Sequence, residues 1–287
     1  MNKTIAGFLL AILALTVSAC NGAHLFDKRP ERIVALKRSK PVEQEKSLAA
    51  YISYGVGQMT VSPAGRDVLY SVDLEYDANR ETPSLRYAVT GSAGRLDLTM
   101  DSDRSYNYSA NSRLDLEITE GLPIDLRLQT GVSEAKIDLS GIQLQRLEVE
   151  GGVGQTTLSF TKINPRACDQ ISLRSGIGEF KVVGLGNADV GHLLYEGGIG
   201  SAHLDLTGTW RRDTVIEMRL GVGEVNLIAP QELGIEIEGH KGFLSSLHLS
   251  GFDKLAGGYR SRNYDKSKYH LLVRVKTGIG AVRVRWA

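Results

Sequence analysis

Cysteine is nearly absent: Cys20 and Cys168 are the only two in 287 residues, and Cys20 falls at the end of an N-terminal leader. No disulfide framework can hold the domain, so stability has to come from packing and ladder hydrogen bonds. Cys168 reads as a small buried residue rather than a reactive thiol. Net charge is nearly absent too. With 34 basic residues against 33 acidic ones the formal charge is +1, which excludes a general electrostatic hold on nucleic acid. The apolar run from Ile5 to Val17 is too short for a spanning helix. No amphipathic helical period follows it, so the domain reads as nearly all β. No catalytic constellation appears, and His24, His192, His203, His240, His248 and His270 show no ligand spacing. Neither a metal nor a cofactor is expected, and the chain reads as non-enzymatic.

What is present begins with a secretory layout of Lys3, the apolar run and small residues. The run ends in Val17-Ser18-Ala19-Cys20, which resembles a bacterial lipobox and implies lipid on Cys20. Asn21 stands where Asp would act as an inner-membrane retention signal, which points to the outer membrane if the host is Gram-negative. Residues 1–20 are thus the leader, and residues 21–47, with Lys28, Arg29, Arg32, Lys37, Arg38 and Lys40, read as a flexible basic tether. Its cations could serve as a second membrane anchor. Residues 48–287 form the domain.

Glycine is plentiful, at 32 residues. From Leu147 to Leu249 the chain writes two alternating apolar residues, a glycine turn and two more, five times. The turns are Gly152-Val153-Gly154, Gly176-Ile177-Gly178, Gly198-Ile199-Gly200, Gly221-Val222-Gly223 and a worn His240-Lys241-Gly242, whose last residues stand 24, 22, 23 and 19 apart. Gly55 with Gly57, and Gly278 with Gly280, are read as further structural turns of the same kind, and longer phrases end at Gly94 and Ser133. A fixed period in this range marks a solenoid whose coils bury an apolar face against the next, with irregular terminal units. Glycine suits a sharp, closely stacked corner. The intervening Val or Ile is expected to fill that corner. One outward column reads Glu150, Arg174, Glu196, Arg219, Glu238, and this alternation of sign favours parallel coils in register over a meander of antiparallel hairpins. Another outward strip holds His203 with Asp97, Lys136, Thr157, Lys181, Asn226 and Arg283.

These phrases, above all Tyr54-Gly-Val-Gly-Gln-Met-Thr-Val61 and Arg219-Leu-Gly-Val-Gly-Glu-Val-Asn-Leu227, resemble the toast-rack domain of bacterial cell-envelope proteins, the group that includes LiaF-like stress-response proteins. The resemblance covers roughly residues 49 to 287. It implies a single-stranded, right-handed β-solenoid outside the cytoplasmic membrane, associated with sensing, scaffolding or adhesion at the envelope. No catalytic residues carry over, because the matching positions are glycines and core aliphatics, and a lipid anchor replaces the family's membrane helices.

Several motifs fail on inspection. Gly151-Gly-Val-Gly-Gln-Thr-Thr-Leu158 imitates a calcium nonapeptide but has Thr156 where Asp is needed. Gly184 to Gly191 has neither the lysine nor the spacing of a phosphate loop. Ser133-Glu-Ala-Lys136 lies where a strand leaves a turn, not on a helix. The stretch from Tyr259 to His270 is different: Tyr259, Arg260, Arg262, Tyr264, Lys266, Lys268 and Tyr269 alternate aromatic rings with cations, as a loop gripping a glycan or an anionic group would. The expected partners are the membrane, through lipid, and an envelope protein or glycan, with no nucleic acid. A polysaccharide-cleaving β-helix is the competing reading. It needs two carboxyls within about 5–10 Å, and Asp138 and Asp205 share a column three units apart.

Overall fold

The computed structural model describes residues 30–102, 112–239 and 247–287. These build sixteen strands: β1 (Ile33–Pro41), β2 (Ser47–Ala64), β3 (Val68–Asp77), β4 (Glu81–Thr90), β5 (Ala93–Ser102), β6 (Arg113–Thr119), β7 (Ile124–Asp138), β8 (Leu144–Ser159), β9 (Gln170–Val183), β10 (His192–Asp205), β11 (Thr214–Ala229), β12 (Gly234–Gly239), β13 (Leu247–Leu249), β14 (Phe252–Lys254), β15 (Gly258–Ser261) and β16 (His270–Trp286). All belong to one sheet, ordered β1-β3-β6-β2-β7-β8-β9-β10-β11-β16-β12-β15-β14, with β5 also on β2, β4 on β5 and β13 on β16. The sheet is long, mostly parallel and not closed into a barrel.

Each long strand bends at its glycine corner into two arms. The corners are not turns between strands, as the sequence suggested. Gly55 and Gly57 lie inside β2, Gly152 and Gly154 inside β8, Gly176 and Gly178 inside β9, Gly198 and Gly200 inside β10, Gly221 and Gly223 inside β11, and Gly278 and Gly280 inside β16. The physical reason is that pairing continues on both sides of the bend: Gly57 stands opposite Ser133, and Gly280 opposite Gly223. The chain changes direction without leaving the sheet.

In β9 the first arm buries Ile171 and Leu173 and the second buries Phe180 and Val182. Both arms therefore turn one apolar face inward, and each such side chain contributes about 1.5–3 kcal/mol by leaving water. The connections supply a third side to the core, with Leu139, Phe160, Cys168, Leu185 and Leu206 all buried. Their backbones continue the coil-to-coil bonding: the Phe160 amide donates to Val183 at 2.9 Å, Cys168 to Asp189 at 3.0 Å and Leu206 to Ile228 at 2.8 Å. Buried Asn164 locks this side, its amide donating to the carbonyls of Leu144 at 3.0 Å and Ala188 at 3.2 Å. That satisfies polar backbone which burial would otherwise strand.

Parallel, in-register stacking is observed from β2 through β7, β8, β9, β10 and β11 to β16. The ends depart from the expected coils. Ile33–Pro41, expected within a flexible tether, is instead a strand paired antiparallel with β3. The phrase around Gly94 is not a corner but one leg of an antiparallel hairpin, β4–β5, turning at Gly91. Chain order also fails at the far end, because β16 inserts between β11 and β12. The worn turn His240-Lys241-Gly242 lies outside the described residues. So do Cys20 and the leader.

Candidate functional site

The corners stack into a straight feature along the molecule. A Cβ on Gly152, Gly176 or Gly198 would overlap the carbonyl oxygen of the matching glycine in the preceding coil (Gly131, Gly152 and Gly176), although none of the three needs a positive φ. One step on, Gly154, Gly178, Gly200 and Gly223 do need it, with φ between 133° and 152°. Two columns of glycine thus have two physical causes: close approach for the first, approach and dihedral together for the second. The ends of the second column differ from its middle. Gly57 has φ of 127°, but the atom its Cβ would strike is the Ser112 carbonyl, outside the stack of corners. Gly280 is held by approach, since its Cβ would overlap the Gly223 carbonyl. The first column floors an open groove of about 870 Å³, whose bank carries Glu150, Arg174, Glu196, Arg219 and Lys276.

The Val or Ile after each floor glycine points out, not in. Val132, Val153, Ile177, Ile199, Val222 and Ile279 are 44–72% exposed and occupy successive rungs in register. The expectation that they fill the corner is therefore wrong. Ladder pairing passes over Gly152, Gly176, Gly198 and Gly221, and the alternation changes phase there: odd residues face inward before the corner of β8 (Leu147, Val149) and even ones after it (Thr156, Leu158). The result is an aliphatic ridge beside a charged bank.

On that bank Glu196 sits between Arg174 and Arg219, accepting from Arg174 Nε at 3.2 Å and Arg219 Nη1 at 2.7 Å. Glu150 is the register neighbour of Arg174, but the second Arg174 bond, at 2.7 Å, goes diagonally to Glu148, which also takes Arg127 Nε at 2.7 Å. Glu150 accepts from Gln129 instead. The Arg219 hydrogen bond, helped by Arg174 against a smaller opposing effect of burial, holds the Glu196 carboxyl below its ordinary range. At Glu148 burial pushes upward, but Arg174 and Arg127 together prevail and lower it. These acids stay ionised and arginine-bound, which suits a structural ladder and not proton donation. Glu238 is not the fifth member of the column: that place is held by Lys276, next to Arg219, while Glu238 binds Arg274 Nε at 3.0 Å. Asp97 likewise leaves the His203 strip, since it lies on β5 beside Tyr51, and Asp115 and Thr60 take the places before Lys136.

The loop from Tyr259 to Tyr269 folds back on the end of the stack. Tyr259 and Arg260 lie on β15, and Arg260 Nη2 donates to Glu236 at 2.8 Å with its guanidinium 4.6 Å from the Tyr264 ring centre. Tyr264 packs on His270 at 4.4 Å. Burial, reinforced by Glu236, raises the Tyr264 phenol. Arg262 turns away to Asp253, at 3.0 Å. Lys266, Lys268 and Tyr269 form a separate shallow cleft with Trp210 and Glu232. The seven residues therefore do not converge on one ligand, and Tyr264 and Arg260 serve as an end cap.

Asp138 pairs with Ser159 and Ser159 with Val183, and Asp205 follows Leu204, the partner of Val182, which sets the two aspartates three rungs apart. At about 4.7 Å per rung that is roughly 14 Å, beyond a glycosidase pair. Cys168 is fully buried, and burial pushes its thiol up to about 12. No group of three or more potential metal ligands occurs among the described residues. None of their helices is long and apolar enough to cross a membrane. The ridge, Glu148, Arg127, Glu217 and Arg274 were missed by sequence reasoning; only the phase change across each corner signalled the first.

Solved structures of similar architecture include a "putative cell adhesion protein" from Clostridium sporogenes, 21% identical over 88% of this chain and 100% of that one with a TM-score of 0.47. A "putative adhesin" from Bacteroides fragilis is 13% identical over 88% and 97%, with a TM-score of 0.38. A "putative lipid binding protein" from Parabacteroides distasonis is 9% identical over 88% and 96%, with a TM-score of 0.32. No curated protein matches the chain. The family model described as the N-terminal domain of toast_rack, DUF2154, matches residues 28–183. That span is more than half of the 287 residues, and the chain belongs to this toast-rack family.

Proposed function

We propose that this protein is a non-enzymatic recognition scaffold of the cell envelope, held to a membrane by lipid on Cys20, with the glycine corner as its binding face. The observation that carries the reading is the ridge: six exposed aliphatic side chains are kept in line by a parallel sheet. Scattered exposed aliphatics need no explanation, but a continuous row bordered by charge marks an interaction surface. The arginine-bound acids of the bank and the separation of Asp138 from Asp205 weigh against glycan cleavage. The lipobox-like Val17-Ser18-Ala19-Cys20 supports the anchor and an address outside the cytoplasmic membrane.

Two variants test this. Val153→Thr, Ile177→Thr, Ile199→Thr and Val222→Thr together keep β-branched shapes but remove the apolar row. Retention of the full chain on envelope fragments should fall at least tenfold while circular dichroism stays unchanged, and equal retention would remove the corner as the binding face. Cys20→Ser should release the protein from membranes; undiminished membrane association would end the lipid-anchor reading.

A further inference from the structure

We propose that the occupant of the ridge is a second copy of this chain, docked antiparallel about a two-fold axis that passes between the rungs of Ile177 and Ile199. The proposal rests on the reading of the corner as a recognition face and names its partner.

The charged bank decides the register. From the β7 end it runs Gln129, Glu150, Arg174, Glu196, Arg219, Lys276, one residue per rung. Turned end for end about the proposed axis, the same series sets Arg174 against Glu196, Glu150 against Arg219 and Gln129 against Lys276 of the second copy. Every facing pair on the bank is opposite in sign or neutral. Moving the axis half a rung toward β8, onto the Ile177 rung, opposes Arg174 to itself and Glu150 to Glu196, and a full rung leaves Arg219 and Lys276 without bank partners. Moving it half a rung the other way opposes Glu196 to itself and Arg174 to Arg219, and a full rung opposes Arg174 to Lys276. A two-fold axis along the stack would instead carry the two banks to opposite flanks of the ridge, so a parallel pair has no bank-to-bank pairing. Complementary charge favours this register, which pairs the whole bank, and like charge excludes the half-rung shifts on either side. Farther from the ridge, the same axis opposes Glu148 to Glu217 and Arg127 to Arg274, but Arg127 and Glu148 bind each other, while Arg274 binds Glu238 and lies 3.8 Å from Glu217.

The ridge fits the same arrangement. Ile177 meets Ile199, Val153 meets Val222 and Val132 meets Ile279, an aliphatic row against itself. β-branched side chains on a stacked sheet have few rotamers to lose when they are covered. Neither glycan nor bilayer matches as well, because the bank alternates in sign and the ridge offers no aromatic ring for a sugar to stack on.

Size predicts strength. Six rungs at about 4.8 Å span roughly 24 Å, and a strip about 10 Å wide covers roughly 250 Å² per copy, well under the about 800 Å² per partner of a standard interface. The pair should be weak in free solution and gain from the high local concentration of membrane-held copies. Its two-fold axis places the two β1 strands at opposite ends of the assembly.

The test is thiol cross-linking on the full chain carrying Cys20→Ser, in which Cys168 is buried. Val132→Cys and Ile279→Cys are made separately. Mixed, they should form a disulfide at least tenfold faster than either alone, because the axis juxtaposes position 132 with 279 while holding the two copies of each about five rungs apart, beyond the roughly 7 Å reach of a disulfide. Rapid linkage of Val132→Cys to itself would mean a parallel pair and would overturn the proposal, as would linkage rates equal across all mixtures. If the four ridge substitutions abolish retention on envelope fragments while no mixture links preferentially, the recognition face stands and the second copy is excluded. If retention and linkage are both indifferent to the ridge, both readings fall.

Discussion

Gly200 and Ile199 are neighbours in sequence and opposites in tolerance. Gly200 has φ of 144°, and a Cβ there would overlap the Gly178 carbonyl one rung away. Gly200→Ala is expected to cost about 2–4 kcal/mol, from backbone strain plus displacement of a ladder that has no room to yield. Ile199 is 55% exposed, so Ile199→Thr should stay within about 0.5 kcal/mol of the parent. Urea melts of the two variants check the contrast, and equal losses would contradict it. Glu45 sets a residue-scale pH limit. Hydrogen bonding from the Tyr87 hydroxyl at 2.6 Å, with the Glu43 amide and Lys40 also contributing against burial, brings its carboxyl down to about 2. Because the folded value lies below the ordinary 4.5, this contribution is present in full above that pH and is lost as pH falls toward about 2. Tyr87→Phe should reduce the acid-induced loss of stability over that window, read from melts at pH 5 and pH 2.5. The glycine period was legible because backbone overlap leaves almost no room for a side chain in the stacked corners, Ser133 being the exception. The outward turn of the corner aliphatics was not, because two-residue alternation cannot say on which side of the phase change a residue falls.

Between elements, counting by rung explains what charge could and could not reveal. Glu150, Arg174, Glu196 and Arg219 were readable as a column because β8 to β11 follow chain order, one rung each. Glu238 was misassigned because β16 takes the next rung, an arrangement no periodicity encodes. Arg29 and Lys28 lie outside the described residues, but Lys37 and Lys40, expected to reach for membrane, are engaged by Asp73 at 2.6 Å and by Glu43 at 2.9 Å. Glu196→Arg would place four cations on consecutive rungs, counting Lys276, and is expected to destabilise by about 0.5–2 kcal/mol at low salt, less as salt screens this part-exposed site. In the double-mutant cycle Glu238→Arg with Arg274→Glu, the exchange should recover about 0.2–1 kcal/mol relative to the sum of the singles, whereas Glu238→Arg with Arg219→Glu should be additive. Coupling in the second pair and not in the first would deny that β16 separates β11 from β12.

At the scale of the whole molecule, the solenoid is closed by β16, which follows in sequence both strands that it joins. Without β16, β11 has no partner beyond β10, and β12 loses its 234–239 ladder. β16 buries Leu271, Val273, Val275, Val282 and Val284, none more than 4% exposed. At about 1.5–3 kcal/mol each these contribute roughly 7–15 kcal/mol, as much as the whole net stability of an ordinary domain. In a stack where each coil contacts only its neighbours, such a loss should spread inward from the exposed β11 edge rather than remain local. A chain ending at Tyr269 is therefore expected to aggregate or to melt in a broad transition that begins at β11 and β10, with hydrogen exchange at Ile216 and Met218 accelerated before that at Leu126 and Leu128. A sharp two-state melt at the parent temperature would show that β16 is an accessory strand. A strand that must insert between two earlier ones also makes the final step non-local, so refolding should be slow for the size of the domain and become faster only when β16 is supplied in place.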